Sequence, residues 1–97
     1  MKITVLKLAQ YDLQGIHKYL SDYGENPPKK FRISFEKFSS QVAAMPYMFS
    51  TYEYNPLYRR AVIAFDYLVF YQVDENKGLV KIYRVLHGKR NMEPLLD

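Results

Sequence analysis

The chain has 97 residues, 48% hydrophobic and 25% charged, with a formal net charge of +4, two His and no Cys. That length supports a single domain spanning 1–97, and the missing thiols exclude a disulfide scaffold and a thiolate zinc centre. The excess of Lys and Arg favours an anionic or acidic partner, no apolar run is long enough to span a bilayer, and the composition fits the cytoplasm.

The stretch from Lys2 to Lys7 alternates as a short strand does and lacks a small-residue cleavage site, so it reads as structure and not as a signal peptide. Ala9, Leu13, Ile16 and Leu20 then recur at helical spacing, and Gly24 suits a left-handed helix stop. Asn26-Pro27-Pro28 reads as the start of a second helix, with Asn26 as cap and proline in the first turn. Behind it Phe31, Phe35, Phe38, Val42 and Met45 form an apolar stripe at i, i+4, i+7, i+11 and i+14, which Pro46 ends. The short link makes the two helices a hairpin. His17 falls on the first helix as a surface residue.

Tyr47 to Pro56, aromatic and polar between two prolines, reads as a loop. Its tyrosines Tyr47 and Tyr52, with Tyr54 and Tyr58, are candidates either for anchoring a partner or for roofing the core. Three strands follow, about Tyr58 to Phe65, Tyr67 to Val73 and Leu79 to Leu86. They turn near Asp66 and through Asp74 to Gly78, an antiparallel meander. The expected fold is α+β, in the order β-α-α-β-β-β, with a two-helix hairpin packed on a small twisted antiparallel sheet. Ile16, Leu20, Phe31, Phe35, Phe38, Val69, Tyr71 and Ile82 are expected in one core. Asn91 to Asp97 are too few for more than one helical turn.

The last strand carries the charge pattern. Lys81, Arg84, Lys89 and Arg90 follow one another with no acid between Leu79 and Arg90, and His87 sits among them. Such a run can face an anionic surface. Arg84 conflicts with the alternation of Val80, Ile82 and Leu86, which requires either a bulge or a paired Arg. Arg59 and Arg60 are neighbours on a strand, so they point to opposite faces. With two distant His and no Cys, neither a metal site nor a cofactor is expected.

The element order, the phrase Tyr67-Leu68-Val69-Phe70-Tyr71-Gln72-Val73-Asp74-Glu75 and the ending Arg84-Val85-Leu86-His87-Gly88-Lys89-Arg90 resemble the RelE/ParE toxins of bacterial type II toxin–antitoxin systems. The helical phrase around Asp12-Leu13, Ile16 and Tyr19-Leu20 fits the first helix of that family. The resemblance implies a cognate antitoxin as partner, operator DNA reached only through the antitoxin, and a role such as plasmid stabilisation. Two activities share the fold: ParE-like members inhibit DNA gyrase by binding, and RelE-like members cleave mRNA on the ribosome.

RNA cleavage needs proton-transfer groups and cations around the phosphate. At the positions where RelE-like nucleases carry them, this chain has Arg59, then Ala61 and Leu68, then Arg90 in Gly88-Lys89-Arg90, and Leu96 in place of a tyrosine. Three of the five are apolar, which favours the ParE-like reading. There Arg59, Arg60, Lys81, Arg84, His87, Lys89 and Arg90 serve target or antitoxin binding. The alternative is an endoribonuclease with His87 as acid or base and Arg90, Arg59, Arg60 and Glu53 in supporting roles. A third reading is a weakly toxic or non-toxic member that acts as a partner or regulator.

Overall fold

Neither helix can bury its apolar stripe alone, and one sheet supplies the surface that both need. A computed structural model describes residues 1–89 of the chain. The elements are β1 (Lys2–Val5), α1 (Lys7–Ser21), α2 (Asn26–Ala44), β2 (Thr51–Tyr52), β3 (Asn55–Ile63), a 3₁₀ turn (Ala64–Asp66), β4 (Tyr67–Asp74) and β5 (Leu79–His87). The turn expected in 91–97 lies outside the described residues.

The five strands lie in the order β1-β5-β4-β3-β2. The β3-β4-β5 meander is antiparallel as expected, but β1 runs parallel to β5, with Lys2 opposite Leu79 and Val5 opposite Ile82. The sheet is therefore mixed. The helical hairpin carries the chain from β1 across the sheet to β2 at the far edge, and the strands that follow return step by step until β5 lies beside β1. Alternation in a sequence carries no strand direction, so this was not readable from Lys2 to Lys7.

Three local expectations are corrected. Part of the expected loop from Tyr47 to Pro56 is strand: Thr51 pairs with Arg59 and Tyr52 with Asn55, and β3 begins at Asn55 and not at Tyr58. Pro56 is tolerated there because it sits near the start of its strand. Glu25, and not Asn26, occupies the cap position of α2, and no side chain caps that end. Met45 leaves the apolar stripe: α2 ends at Ala44, the Met45 backbone is no longer helical, and its side chain is 62% exposed. Gly24 does stop α1, at φ 111°.

The main core lies between the helices and the sheet. Ile16, Leu20, Phe31 and Phe38 meet Val69, Tyr71 and Ile82 there, and Phe35 packs against them partly buried. A second cluster of Tyr52, Tyr58, Leu68, Phe70 and Leu86 occupies the opposite face of the sheet, flanked by Tyr83. With both faces covered, Tyr67 to Tyr71 is buried at every residue, which is why that run reads as continuously apolar.

The Arg84 conflict resolves through both expected devices. Phe70 pairs with Arg84 but Tyr71 pairs with Ile82, so Tyr83 is an extra residue bulged from β5. Val80 and Ile82 before the bulge and Val85 after it all reach the main core, whereas Leu86 joins the second cluster.

Phe38 is 2% exposed and touches Phe35, Phe49 and Tyr71 through ring contacts at 5.7–6.0 Å. Phe38→Ala should therefore cost about 3–5 kcal/mol in urea unfolding, and the half-buried Phe35→Ala less. The reverse ranking would contradict this packing. Burial pushes the Tyr71 hydroxyl above its ordinary 10.0, and in its neutral form it donates to the Pro46 carbonyl at 2.9 Å. Its contribution is thus present below pH 10 and lost as the pH rises through the raised folded value. Tyr71→Phe should reduce the alkaline loss of stability in a denaturant series from pH 8 to 12.

Candidate functional site

β1 pairs with β5 only as far as Ile82, and beyond it α1 supplies the acceptor for the Val85 N–H. Asp12 Oδ2 accepts from Val85 N at 3.0 Å and from Arg84 Nε at 2.7 Å, while Oδ1 accepts from Arg84 Nη2 at 2.9 Å. The Arg84 and Asp12 side chains are only 17% and 13% exposed. The hydrogen bonds to Asp12 raise the pKa of Arg84 above its ordinary value, so the guanidinium is held charged. Lys81 is also engaged, with Asp74 Oδ2 at 3.2 Å. The hydrogen bond from Lys81 and then that from the Lys77 N–H hold Asp74 below the usual carboxylate range.

The four cations of the last strand therefore do not form one rim. Two are neutralised from within, Lys81 by Asp74 across the β4–β5 turn and Arg84 by the distant Asp12. Lys89 remains exposed at the strand end beside His87, and Arg90 lies outside the described residues. His87 is half-buried opposite Tyr67, whose ring it meets edge-on at 5.2 Å. Its Nδ1 accepts the Lys89 N–H at 3.3 Å. Gly88 is fitted by close approach: its N–H donates to Asp66 O at 2.8 Å, and a Cβ there would stand 3.0 Å from that oxygen.

Arg59 and Arg60 point to opposite faces as expected. Arg59 Nη1 donates to the Phe49 carbonyl at 2.8 Å and its guanidinium lies 4.8 Å over the Tyr47 ring, while the Tyr47 hydroxyl is bonded to Glu75. Arg60 is exposed, 5.8 Å from the Tyr52 ring centre. Glu53 is exposed in the turn between β2 and β3. The strand register puts Arg59 level with Tyr71 and Ile82, and Arg60 level with Phe70 and Arg84, two strands away from β5. Their backbones are then roughly 14–16 Å from His87, at ~3.3 Å per residue and ~4.8 Å per strand. The structure thus does not bring Glu53, Arg59, Arg60 and His87 together at one point. Ala61 and Leu68 are buried, one in each cluster, and Leu96 lies outside the described residues. His17 is exposed on α1, in the cleft between the helices.

The tyrosines also divide. Tyr52 and Tyr58 roof the second cluster, whereas Tyr47 and Tyr54 are exposed. Sequence reasoning missed a different aromatic set. Tyr11, Tyr19 and Tyr23 on and just after α1, with Phe65 from the β3–β4 turn, border a groove of about 800 Å³ between α1 and the end of the sheet, with His87 at its mouth. The four-residue steps 11, 15, 19 and 23 were the signal for it, a row along α1 beside Ile16 and Leu20. Among the described residues no cluster of His, Asp or Glu could hold a metal ion, and no helix is long and apolar enough to cross a membrane.

The fold and this surface define a class: a small α+β domain, with a helical hairpin on a mixed five-stranded sheet, that presents an aromatic groove and a basic strand end. Residues 3–92 match the family of the ParE toxin of the type II toxin–antitoxin system parDE, and the chain belongs to that family. The fold is similar to that of a chain in the chromosomal ParDE TA system from P. aeruginosa, with a TM-score of 0.63 over 90% of this chain and 95% of that one, at 15% identity. At that identity the likeness concerns the fold alone. No curated protein matches the sequence. An antitoxin is the partner that a parDE-type toxin implies.

Removing Asp12 would leave a mostly buried guanidinium and the Val85 N–H without this acceptor. Asp12→Ala should cost about 2–4 kcal/mol, the scale for truncating one member of a buried charge pair. Asp12→Asn, which keeps one acceptor oxygen, should cost less. Equal midpoints for wild type and Asp12→Ala in urea would show that the pair contributes nothing.

Proposed function

We propose that this toxin acts in the cytoplasm by binding DNA gyrase, without cutting RNA, and that a cognate antitoxin neutralises it by covering its binding surface. The observation that carries this reading is the burial of Ala61 and Leu68, 1% and 8% exposed. These positions, at which a RelE-like nuclease would hold phosphate-binding cations, lie inside packed clusters and can neither carry a proton nor grip a phosphate. The dispersal of Glu53, Arg59, Arg60 and His87 supports the same reading, because acid–base chemistry needs its groups within hydrogen-bond reach of one substrate. What the surface offers instead is charge and aromatic area, the means of protein recognition. The exposed cations Arg60 and Lys89, with Arg90 by sequence, suit an acidic patch on the target or on the antitoxin. Arg84 and Lys81 contribute indirectly, by holding the strand that presents them. Stabilisation of a plasmid or other replicon would follow from such a toxin–antitoxin pair.

Purified toxin added to a gyrase supercoiling assay and to a translating extract with mRNA tests the reading. Supercoiling should stop and the mRNA should stay intact. His87→Gln should keep most of the inhibition, since Gln retains a polar side chain of similar reach, while Arg90→Glu should abolish it by reversing the local charge. Ribosome-dependent mRNA cuts that fall roughly 10²–10⁴-fold in His87→Gln would establish the nuclease instead. Activity in neither assay would leave a regulatory family member.

A further inference from the structure

The tight turn that joins β3 to β4 carries a residue that its own backbone disfavours. The chain is left-handed at two successive positions there, Phe65 at φ 59°, ψ 28° and Asp66 at φ 60°. Hairpin turns with two such residues favour Asn and Gly. Asp66 is tolerated, since a short polar side chain can bond locally, but a large aromatic at that angle is an outlier. A strained residue persists where its side chain fills the core or where a function needs it. Phe65 does not fill the core: it is 42% exposed and belongs to neither hydrophobic cluster.

The surroundings hold this turn firmly. Ser34 Oγ on α2 accepts the Ala64 N–H at 3.0 Å on one side of Phe65, and the Gly88 N–H donates to the Asp66 carbonyl at 2.8 Å on the other. The ring is therefore presented on a backbone pinned from two directions, by a helix and by the chain leaving β5. The second pin also fixes the ring's neighbours. Gly88 stands between His87 and Lys89, so the turn and the basic strand end form one corner of the molecule. Lys89 has no ion pair among the described residues, while Asp12 and Asp74 are engaged by Arg84 and Lys81. With Arg90 next in sequence, the corner has two cations against the single carboxylate of Asp66.

A rigid aromatic ring beside positive charge is the composition of an interface anchor. Lys89 and Arg90 are the cations proposed to meet the target, and Phe65 is continuous with them through the Gly88–Asp66 hydrogen bond. A flexible partner shapes its own backbone to the surface it meets and gives no reason to hold a strained one. A folded partner cannot, and against it a ring already fixed in place binds at lower cost.

We infer that Phe65 is the apolar anchor of the toxin's contact with gyrase, its ring entering an apolar pocket whose rim carries acidic side chains opposite Lys89 and Arg90. The inference rests on the gyrase reading and adds to it the residue and the chemistry of the surface it meets.

The test reads inhibition of gyrase supercoiling, antitoxin affinity and melting temperature on the same full-length proteins. Phe65→Asn removes the ring and suits left-handed backbone, so the free toxin should melt at the wild-type temperature or up to about 4–8 °C above it. The toxin concentration for half-inhibition should nevertheless rise about 30-fold or more, the scale of an interface hot spot. Phe65→Tyr, which keeps the ring, should inhibit within about threefold of wild type. Lys89→Glu should also weaken inhibition, by opposing the acidic rim. A variant that is as stable as wild type and inhibits less does not owe the loss to damaged folding. A fall in melting temperature in Phe65→Asn would show that the ring serves the fold and would overturn the inference. Wild-type inhibition by either Phe65→Asn or Lys89→Glu would also overturn it. So would a loss of inhibition in Phe65→Asn no larger than its loss of antitoxin affinity, which would give the ring to the antitoxin. Failure of the gyrase reading itself looks different: the wild-type toxin then leaves supercoiling intact, and the inference falls with it.

Discussion

The contact on which the rest of the molecule depends is the clasp of Asp12 on the bulge of β5. Beyond Ile82 no strand lies on the β1 side of β5, and inside a protein a backbone N–H left there must find another acceptor. Asp12 answers the Val85 N–H and both forks of Arg84 with one carboxylate, across 72 residues of sequence. The clasp ties α1 to the strand that ends in His87, and it sets the distance between the groove's two walls. It also explains how an Arg can stand between Ile82 and Val85, which both reach the core: the cation leaves water because an anion, itself held by a backbone N–H, meets it there.

A sheet covered on both faces imposes the second constraint. Phe70 and Tyr71 are fully buried on opposite faces, so from Tyr67 to Tyr71 neither side of β4 offers functional groups to solvent. Function is left to the margins: the strand ends, the helix faces that turn away from the sheet, and the tight β3–β4 turn. The margin between α1 and the end of β5 is where exposed aromatic side chains lie near the exposed Lys89. The opposite margin differs in kind. There Arg59 is held by the Phe49 carbonyl and by Tyr47, so it braces the segment after α2.

Internal pairing also changes what the charge of +4 can do. Linear order puts Lys81 and Arg84 in one basic run with Lys89, yet Asp74 and Asp12 meet the first two at 3.2 and 2.7 Å. The field that reaches a partner comes from the ends of the sheet and not from its last strand as a whole. Long-range attraction follows net charge, but local recognition follows only those charges that lack an internal partner.

Much of the architecture was legible because it depends on periodicity. The stripes from Ala9 to Leu20 and from Phe31 to Val42, the punctuation by Gly24 and Pro46, and the apolar runs from Tyr67 and Leu79 each follow from which faces must avoid water, and with them came the family resemblance. The opposite facing of Arg59 and Arg60 came from the two-residue repeat of a strand. What needed the tertiary structure was everything set by which segments lie side by side: the parallel seat of β1, the short β2 inside an apparent loop, the partners of Lys81 and Arg84, and the choice of Tyr52 and Tyr58 as roof. The groove stands between the two. Its tyrosine steps and Gly15 were printed along α1, but only packing shows that Phe65, far away in the chain, closes the same space. Periodicity is a property of adjacent residues and survives in one dimension, whereas charge pairing, strand direction and the making of a cleft depend on which segments are brought side by side, and that is decided by the fold as a whole.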